Sequence, residues 1–168
     1  MDKPVLIIMC GYPYAGKTTL AKYLEKKLRF VRITIDDIVA EFGLPIEDQL
    51  SEEDWTRVYT EAETRLVNSL FKGQSTIFDA TNGHQDYRDK LRQITSSFTV
   101  MSLIVFINTP LETIKFRANN VIGRHKATKV EETIKNFTVP TSKENTLVVE
   151  SKWKNKRTVQ LIRKKLSL

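Results

Sequence analysis

The sequence predicts an α/β domain in which helices cover both faces of a parallel β-sheet. Short apolar runs alternate with helical patterns along the chain, and this alternation is typical of parallel strands joined by helical crossovers. The first apolar run, Val5–Cys10, is continuous and is followed by a glycine, as expected for a strand buried on both faces. The 168 residues contain no internal repeat, low-complexity stretch or long linker, so we expect one domain over residues 1–168.

The other elements follow from periodicity and from helix-start signals. Ser51 and Asp54 have the spacing of a capping box, which predicts a helix after them. Thr109 and Pro110 mark another helix start, with an N-cap and a proline at the first helical position. The predicted strands are 5–10, 31–35, 76–78, 100–107 and 146–149, and the predicted helices include 17–28 and a basic amphipathic helix over about 152–166.

Composition and charge limit the classes of protein to consider. No apolar run approaches the roughly 20 residues that a membrane helix needs. The single cysteine, Cys10, cannot form an intramolecular disulfide, so we expect a cytoplasmic protein with no membrane partner. The net charge of +7 lies in residues 151–168, which hold seven bases and no acid. The rest of the chain is neutral but uneven, with eight acids against Arg57 in residues 41–63 and five bases without an acid in residues 115–129.

The turn after the first apolar run carries the clearest chemical signal. Its residues fit the pattern G-x-x-x-x-G-K-[ST], and a predicted strand and a predicted helix flank it, as a phosphate-binding loop requires. The glycines let the backbone turn tightly and direct N–H groups at phosphate oxygens. Lys17 is expected to neutralise the β- and γ-phosphates of ATP, with GTP not excluded, and Thr18 to ligate Mg²⁺. The expected nucleotide-binding residues are Gly11, Tyr12, Pro13, Tyr14, Ala15, Gly16, Lys17, Thr18 and Thr19.

Carboxylates follow the second and third predicted strands. Parallel strands bring their carboxyl ends to one edge of the sheet, so we expect these acids beside the phosphate loop. Of the adjacent Asp36 and Asp37, we favour Asp36 as the general base for an attacking hydroxyl, and a helix N-cap is the alternative role. Asp79 is expected to organise Mg²⁺ together with Thr18.

The residues after Asp79 supply further candidates. Asn82 is expected to cap the next helix, and His84 to be a polar residue of its first turn. Arg88 would either reach back to the site or pair with an acid on its own helix, and the sequence leaves both open. The candidates for substrate binding are therefore Asp37, Asn82 and Arg88.

Together these residues resemble the small P-loop kinases related to polynucleotide 5′-hydroxyl kinase, zeta toxin and chloramphenicol phosphotransferase. The resemblance covers roughly residues 4–150 and rests on the phosphate loop, the Asp36-Asp37 pair, residues 79–82 with Arg88, and an arginine-bearing lid at about 115–129. It implies a P-loop NTPase three-layer sandwich, with a five-stranded parallel sheet in the order 2-3-1-4-5 and a short helical lid. It also implies that Asp36 is the general base, that Asp79 lies near the metal and that lid arginines bind the γ-phosphate.

Three positions depart from this family pattern. Tyr14 occupies a place in the phosphate loop where relatives often have glycine or another small residue. Val39 replaces an arginine that helps the polynucleotide kinase-like members to hold nucleic acid. In the lid, Val121 stands where a second arginine would follow Arg117 by four residues, so Arg124 from the next turn is expected to act in its place, with Lys126 nearby as a further candidate. The alternative for both arginines is a solvated basic helix face, and their clustering favours catalysis.

Three functions from different classes fit these observations. We favour a phosphotransferase that moves the γ-phosphate of ATP to a hydroxyl of a small-molecule acceptor. Relatives build their acceptor pocket from the segment between Asp36 and Asp79, and its acids here would repel a polyanion and suit a neutral or cationic acceptor. One alternative is a nucleic-acid kinase acting on a 5′-hydroxyl or a tRNA-linked group, with the basic C-terminal helix binding phosphates. The other is a non-catalytic nucleotide switch that binds RNA or a protein. An apolar stripe on the C-terminal helix instead favours docking on the sheet, with its lysines solvated.

Overall fold

A five-stranded parallel sheet organises the chain. The computed structural model describes residues 3–45, 50–120 and 127–168, with the side chains of all of these except 127–129. The strands lie in the order β2-β3-β1-β4-β5, which confirms the order implied by the family resemblance. Every described pair of neighbouring strands is parallel. The strands are β1 (Val5–Cys10), β2 (Val31–Thr34), β3 (Thr76–Asp79), β4 (Met101–Asn108) and β5 (Thr146–Glu150).

Helices connect the strands and cover both faces of the sheet. The predicted first helix has the expected bounds, and the capping box at Ser51 and Asp54 is confirmed, since the side chain of each accepts a backbone N–H of the other. A short 3-10 helix at Ser142–Glu144 precedes β5. The helices are α1 (Lys17–Leu28), α2 (Ile35–Glu41), α3 (Glu52–Phe71), α4 (Gln85–Ser96), α5 (Leu111–Asn120), α6 (Ala127–Lys135) and α7 (Asn155–Leu166).

The central strand β1 contributes to a core on each face of the sheet. Leu6 and Ile8 pack on the face that α2, α3 and α4 cover. Ile7 and Met9 pack on the opposite face, which α1 and α7 cover. All six residues of β1 are buried, and this double burial is why the run is apolar without alternation. The three-layer α/β fold predicted from the sequence is therefore confirmed.

The C-terminal helix α7 docks on the sheet, as its apolar stripe predicted. Val159, Ile162 and Leu166 are buried in the core between α7, α1 and the sheet. The seven basic residues between 152 and 165 all stay exposed to solvent. The helix thus contributes to the core through one side and presents positive charge on the other.

Two helix-cap predictions were wrong. Strand β2 ends at Thr34, which is the N-cap residue of α2, so Asp36 and Asp37 lie inside the first turn of that helix and do not cap it. Helix α4 begins after His84, and Asn82 is not its cap. Asn82 has a left-handed backbone (φ 47°), and its Nδ2 donates a hydrogen bond to the Met9 carbonyl at 2.6 Å. This amide therefore ties the end of β3 to the end of β1.

The single cysteine of the chain lies in the core of the domain. Cys10 is fully buried at the end of β1, and burial raises the pKa of its thiol to about 12, so little reactive thiolate forms. Its Sγ donates a hydrogen bond to the Asn82 carbonyl at 3.3 Å. Within the described residues, none of the helices combines the length and the apolar composition needed to cross a bilayer.

A buried ion pair joins α4 to the 3-10 helix. Arg88 is completely buried, and its guanidinium binds the Glu144 carboxylate through two nitrogens, at 2.8 and 3.2 Å. It also donates to the carbonyls of Asn82 and Thr138. Burial acts against the charge on Glu144, yet Arg88 and the Thr141 N–H outweigh it and lower the pKa of that carboxyl. Neither role that the sequence suggested for Arg88 matches these contacts, because its partner lies on another element and its guanidinium is enclosed.

Glu144→Gln is expected to lower the free energy of unfolding at pH 7 by on the order of 3 kcal/mol, because it leaves the Arg88 charge buried without a counter-ion. A lowered carboxyl pKa stabilises the fold above the unfolded value of about 4.3, and this contribution is lost as the pH falls through the folded value. The difference between the variant and the unmodified protein should therefore shrink below about pH 4. Urea unfolding at several pH values measures both effects.

Glu112→Gln is the matched control for this experiment. The Glu112 side chain is 89% exposed and lies 3.8 Å from Lys115, so its loss should cost less than about 0.5 kcal/mol at either pH. Equal effects of the two substitutions would contradict a special role for the buried pair.

Candidate active site

The phosphate loop joins β1 to α1 in the geometry that the motif predicts. Gly11 and Gly16 adopt positive φ angles of 152° and 100°. A Cβ on Gly11 would come within 3.2 Å of the Ile107 carbonyl oxygen, so the loop passes β4 too closely for a side chain there. The Gly11 N–H donates to the Thr81 carbonyl at 3.2 Å, which fixes the start of the loop against the end of β3.

The departure at Tyr14 has a backbone consequence. Tyr14 has φ 61°, the left-handed conformation that glycine adopts without strain and that costs other residues about 1 kcal/mol or more. Its ring and that of Tyr12 pack against Ile114, Ala118 and Val130 of α5 and α6. The two tyrosines thus connect α5 and α6, the helices of the predicted lid, to the phosphate loop. The contact is accompanied by backbone strain at Tyr14.

Lys17, Thr18 and Asp79 lie together behind the loop. The Lys17 Nζ donates to the Tyr12 carbonyl at 2.9 Å, so the ammonium lies against the loop that it is expected to serve. Thr18 lies beside the buried Asp79 carboxylate. Burial raises the pKa of Asp79, against the opposing effects of Lys17 and Arg32. A hydroxyl beside a carboxylate is the hard-oxygen donor set that Mg²⁺ uses together with nucleotide phosphates.

The donors available at this position fit Mg²⁺ better than a protein-enclosed metal. In the described part of the chain, no group of three or more histidine, cysteine or acidic side chains is arranged to hold an ion. Mg²⁺ keeps several waters and is commonly held by one or two carboxylates and substrate phosphates, so Thr18 and Asp79 suffice. They are the residues that would hold the ion.

Arg32 was missed by the sequence analysis. It lies in β2 and its guanidinium faces three carboxylates, those of Glu25 at 3.1 Å, Asp37 at 3.3 Å and Asp79 at 3.5 Å. It therefore links α1, α2 and β3 by charge-assisted hydrogen bonds. The sequence did contain a signal for this residue, because Arg32 lies between Val31 and Ile33 in a predicted strand. A cation that is buried in a strand needs partners.

The two adjacent acids of α2 have different surroundings. Asp36 lines a cavity of about 410 Å³, the central cavity, together with Lys17, Thr18 and Asp79. The Asp37 carboxylate points to Arg32 instead, and Asp37 is not among the residues that line the central cavity. The structure therefore groups one of the two acids with the phosphate loop, and it is the one that the sequence analysis favoured as base.

The lid is described in part. Arg117 lies in the last turn of α5 and donates to the Tyr14 carbonyl at 2.9 Å, which brings its guanidinium to the phosphate loop. It also lines a cavity of about 560 Å³, the outer cavity, on the side of the loop towards β5 and α7. Gly16, Thr19 and Trp153 line the same cavity. Arg124 and Lys126, the other lid residues considered from the sequence, lie outside the described residues.

A third cavity adjoins the central one on the other side. It measures about 410 Å³, and we call it the aromatic cavity because four aromatic side chains line it. It shares part of its wall with the central cavity, so the two cavities are adjacent. The aromatic residues are Trp55, Tyr59, Tyr87 and Phe137, and the shared residues are Pro13, Trp55, Tyr59 and Thr81.

The sequence suggested that the acids of residues 41–63 would line the acceptor pocket. None of those that the structure describes lines the aromatic cavity. Helix α3 turns Trp55 and Tyr59 towards the cavity. Its acid Glu61 binds Arg65, and Glu63 binds Lys90. No aspartate or glutamate occurs among the described residues that line the aromatic cavity. Glu63 follows Tyr59 by four residues on the same side of α3, and it lies near the Tyr87 phenol while bound to Lys90.

Asn82 reaches this cavity, whereas Arg88 does not. Asn82 lines it from the turn after β3. Arg88 lies underneath, enclosed by its contacts with Glu144 and two carbonyls, and does not line the described cavities beside the loop. Of the three candidates for substrate binding, Asn82 lines the aromatic cavity, whereas Asp37 lines a separate cavity beside β2 together with Arg32.

Comparison with known proteins shows the family to which the chain belongs. A family model described as an AAA domain matches residues 6–138. The chain belongs to this family. The match begins in β1 and ends after α6, so the phosphate loop, both strand-end acids and both lid helices lie inside the AAA-domain region.

Curated relatives of this AAA-domain protein include shikimate kinases. That of Caldicellulosiruptor bescii is 28% identical over 78 residues, which are 46% of this chain and 45% of the relative. That of Persephonella marina is 27% identical over 109 residues, which are 64% of this chain and 63% of the relative. The chain thus spans about half to three-fifths of the length of the curated relatives it matches.

Solved structures share the fold over nearly the whole chain. A putative kinase from Chloroflexus aurantiacus superposes with a TM-score of 0.75 at 21% identity, covering 99% of this chain and 98% of that one. A gluconokinase from Sinorhizobium meliloti has a TM-score of 0.70 at 16% identity, covering 99% and 94%. At such identities these likenesses establish the fold of the AAA-domain protein alone.

Lys17→Ala is expected to weaken MgATP binding by at least about tenfold, because it removes a charge-assisted contact to the phosphates. Isothermal titration calorimetry measures the affinity. Lys22→Ala is the control, since Lys22 is an exposed lysine on the same helix. An unchanged affinity in the Lys17 variant would contradict the assignment of the loop.

Proposed function

We propose that the protein is a kinase that transfers the γ-phosphate of ATP to a hydroxyl group of a small-molecule acceptor, with Mg²⁺ as cofactor. The observation that carries this proposal is that the aromatic cavity adjoins the central cavity. The central cavity holds the phosphate loop with Asp36 and Asp79, and the aromatic cavity has a size suited to a small organic molecule. A nucleotide-binding switch without an acceptor would have no need of the second cavity.

The outer cavity is the proposed site of the base and ribose. Gly16 and Thr19 line it from the loop, and Trp153 and Asn155 from the segment between β5 and α7. The phosphates would then follow the backbone N–H groups of the loop and the N-terminus of α1 towards Lys17. ATP and GTP share these phosphate contacts, so the choice of ATP follows from the family resemblance, and GTP is the alternative.

The charged residues of the central cavity, together with Arg117 from α5 and Arg32 from β2, each have a role in this proposal. Lys17 and Arg117 stabilise negative charge on the transferred phosphoryl group. Asp36 accepts the proton of the attacking hydroxyl, which strengthens the oxygen as a nucleophile. Thr18 and Asp79 hold the metal, and Arg32 keeps Asp79 in position. Mg²⁺ supplies charge neutralisation between the phosphate oxygens when bound.

A small-molecule acceptor is favoured over nucleic acid by the distribution of charge. Val39 lines the central cavity at the position where polynucleotide kinase-like members carry an arginine. The basic helix α7 packs on the opposite face of the sheet from Trp55 and Tyr59. Its positive charge is therefore remote from the aromatic cavity. The names of the curated relatives, shikimate kinases, also support a small hydroxylated acceptor.

Three further proposals concern the subgroup of kinases, the alternative acceptor and the location of the protein. Membership of the polynucleotide kinase, zeta toxin and chloramphenicol phosphotransferase group rests on the sequence resemblance alone. A nucleic-acid kinase is the alternative function, and the exposed bases of α7 are the observation that favours it. The cytoplasmic location rests on the single cysteine.

Asp36→Asn is expected to lower the rate of phosphate transfer by about 10²- to 10⁴-fold, because the amide cannot accept the proton of the hydroxyl. MgATP affinity should stay the same, since Asp36 lies on the acceptor side of the loop. The assay uses γ-labelled ATP, Mg²⁺ and a cell extract divided into small-molecule, nucleic-acid and protein pools.

Asp37→Asn is the comparison variant, with the same charge change one residue along. Its carboxylate binds Arg32 outside the central cavity, so we expect it to retain most of the transfer. Label in the small-molecule pool that disappears only with Asp36→Asn supports the proposal. Label in the nucleic-acid pool would favour the alternative function, and full activity of Asp36→Asn would exclude Asp36 as the base.

A further inference from the structure

The aromatic cavity contains more information about the acceptor than its position alone. Trp55, Tyr59 and Tyr87 form a continuous ring cluster, with centroids 5.9 Å apart in the first pair and 5.0 Å in the second. The Tyr59 and Tyr87 rings meet edge to face, at 74°. Phe137 also lines the cavity, and its ring packs against that of Tyr12 with the centroids 4.3 Å apart and the planes tilted by 41°. Rings arranged in this way present both faces and edges to a bound molecule.

The described part of the cavity wall contains no lysine, arginine, aspartate or glutamate, and His84 is its one basic side chain. Two charges close to it are paired, since Glu63 binds Lys90 at 2.7 Å and Arg88 binds Glu144 at 2.8 Å. Burial, with Glu63 nearby, raises the pKa of the Tyr87 phenol, so this group stays neutral. A carboxylate or phosphate on the acceptor would lose its hydration here without gaining an ammonium or guanidinium partner from the wall.

Asn82 adds a specific polar feature. Its Nδ2 is committed to the Met9 carbonyl at 2.6 Å, which identifies the other amide atom as the oxygen. That Oδ1 is buried and has no hydrogen-bond donor among the described residues. The side chain lines the aromatic cavity, and a buried acceptor of this kind is normally satisfied. A hydroxyl or N–H group of a bound molecule would supply the missing donor.

From these features we infer that the acceptor is an uncharged, hydroxylated compound with a flat ring, rather than a carboxylate or an acyclic polyol. The inference rests on the proposed function, because it assigns the acceptor to the cavity next to Asp36. The ring lies among Trp55, Tyr59 and Tyr87, where stacking and edge contacts stabilise it. One of its hydroxyl groups lies beside the residues that line both cavities and is directed towards Asp36. The volume of about 410 Å³ suits one such molecule.

The two tryptophans of the chain provide separate reporters for this inference. Trp55 lines the aromatic and central cavities, and Trp153 lines the outer cavity. Trp153→Phe leaves Trp55 as the sole tryptophan, which reports on the acceptor side. Trp55→Phe leaves Trp153, which reports on the nucleotide side. Each substitution retains an aromatic ring, so the fold should be preserved.

The first experiment titrates the Trp153→Phe protein, with MgATP present, with a panel of uncharged hydroxylated ring compounds that begins with uridine and 4-hydroxybenzyl alcohol. Shikimate tests a carboxylate, and sorbitol tests an uncharged polyol without a flat ring. We expect saturable changes in Trp55 fluorescence with ring compounds, at least tenfold tighter than with shikimate or sorbitol. Tighter binding of shikimate or sorbitol, or no response to any ring compound, would overturn the inference.

Gly83→Ala tests whether a compound that responds lies in this cavity. A Cβ on Gly83 would come within 2.7 Å of the Phe137 ring, so the ring must shift at the cavity wall. We expect the ring compound to bind at least tenfold more weakly, with no change in MgATP affinity measured through Trp153 in the Trp55→Phe background. Loss of both affinities, or of neither, would refute the assignment to this cavity.

Failure of the proposed function would give a different result. In that case a ring compound binds and responds to Gly83→Ala, MgATP binds, and no phosphate moves from labelled ATP to the compound at any concentration. Failure of the inference alone would appear as transfer of label to shikimate, sorbitol or another acceptor without a flat uncharged ring.

Discussion

Hydrogen bonds along both edges of β1 constrain the geometry of the whole site. The strand pairs with β3 through Leu6, Ile7 and Ile8 on one edge, and with β4 along its full length on the other. The phosphate loop leaves β1 at Gly11, whose N–H is bound to the Thr81 carbonyl, and this bond holds the start of the loop close to the end of β3. The loop then places Thr18 beside Asp79, the last residue of β3.

Charge balance is the second condition on this arrangement. Asp79 is buried, and its carboxylate would be costly to ionise without nearby cations. Lys17 and Arg32 supply them from opposite sides, one from the loop and one from β2. Arg32 also binds Asp37 and Glu25, so the same guanidinium orients the start of α2 and, with it, Asp36. A single strand residue thus connects the acid assigned to the metal with the helix that carries the proposed base.

The features that were predictable from the sequence are those with local causes. The apolar run of β1, the capping box of α3 and the stripe of α7 each depend on neighbours within a few residues, and each has the predicted structure. The cap assigned to Asn82 failed because its amide is bound to Met9, 73 positions away in the chain. The partners of Arg88 escaped prediction for the same reason, since Glu144 is 56 positions away.

The aromatic cavity is the extreme case of this limit. Trp55 and Tyr59 could be recognised as part of an apolar stripe, but a stripe alone does not distinguish a core contact from a cavity wall. Tyr87 and Phe137 come from two other elements, and only the folded sheet brings them together. The sequence showed the acids of α3 but not the direction in which their side chains point, because that direction depends on how the helix packs.

The central place of β1 also has a consequence for the order in which the chain can fold during synthesis. The strand is synthesised before both of its partners, β3 and β4, which lie at residues 76–79 and 101–108. Until those residues have been made, the two edges of β1 and its six consecutive apolar side chains lack their full set of native partners. Pairings of such long sequence separation form slowly and leave aggregation-prone surfaces exposed. We therefore expect folding of the nascent chain to depend on chaperones or on slow translation, even though the finished domain buries this strand completely.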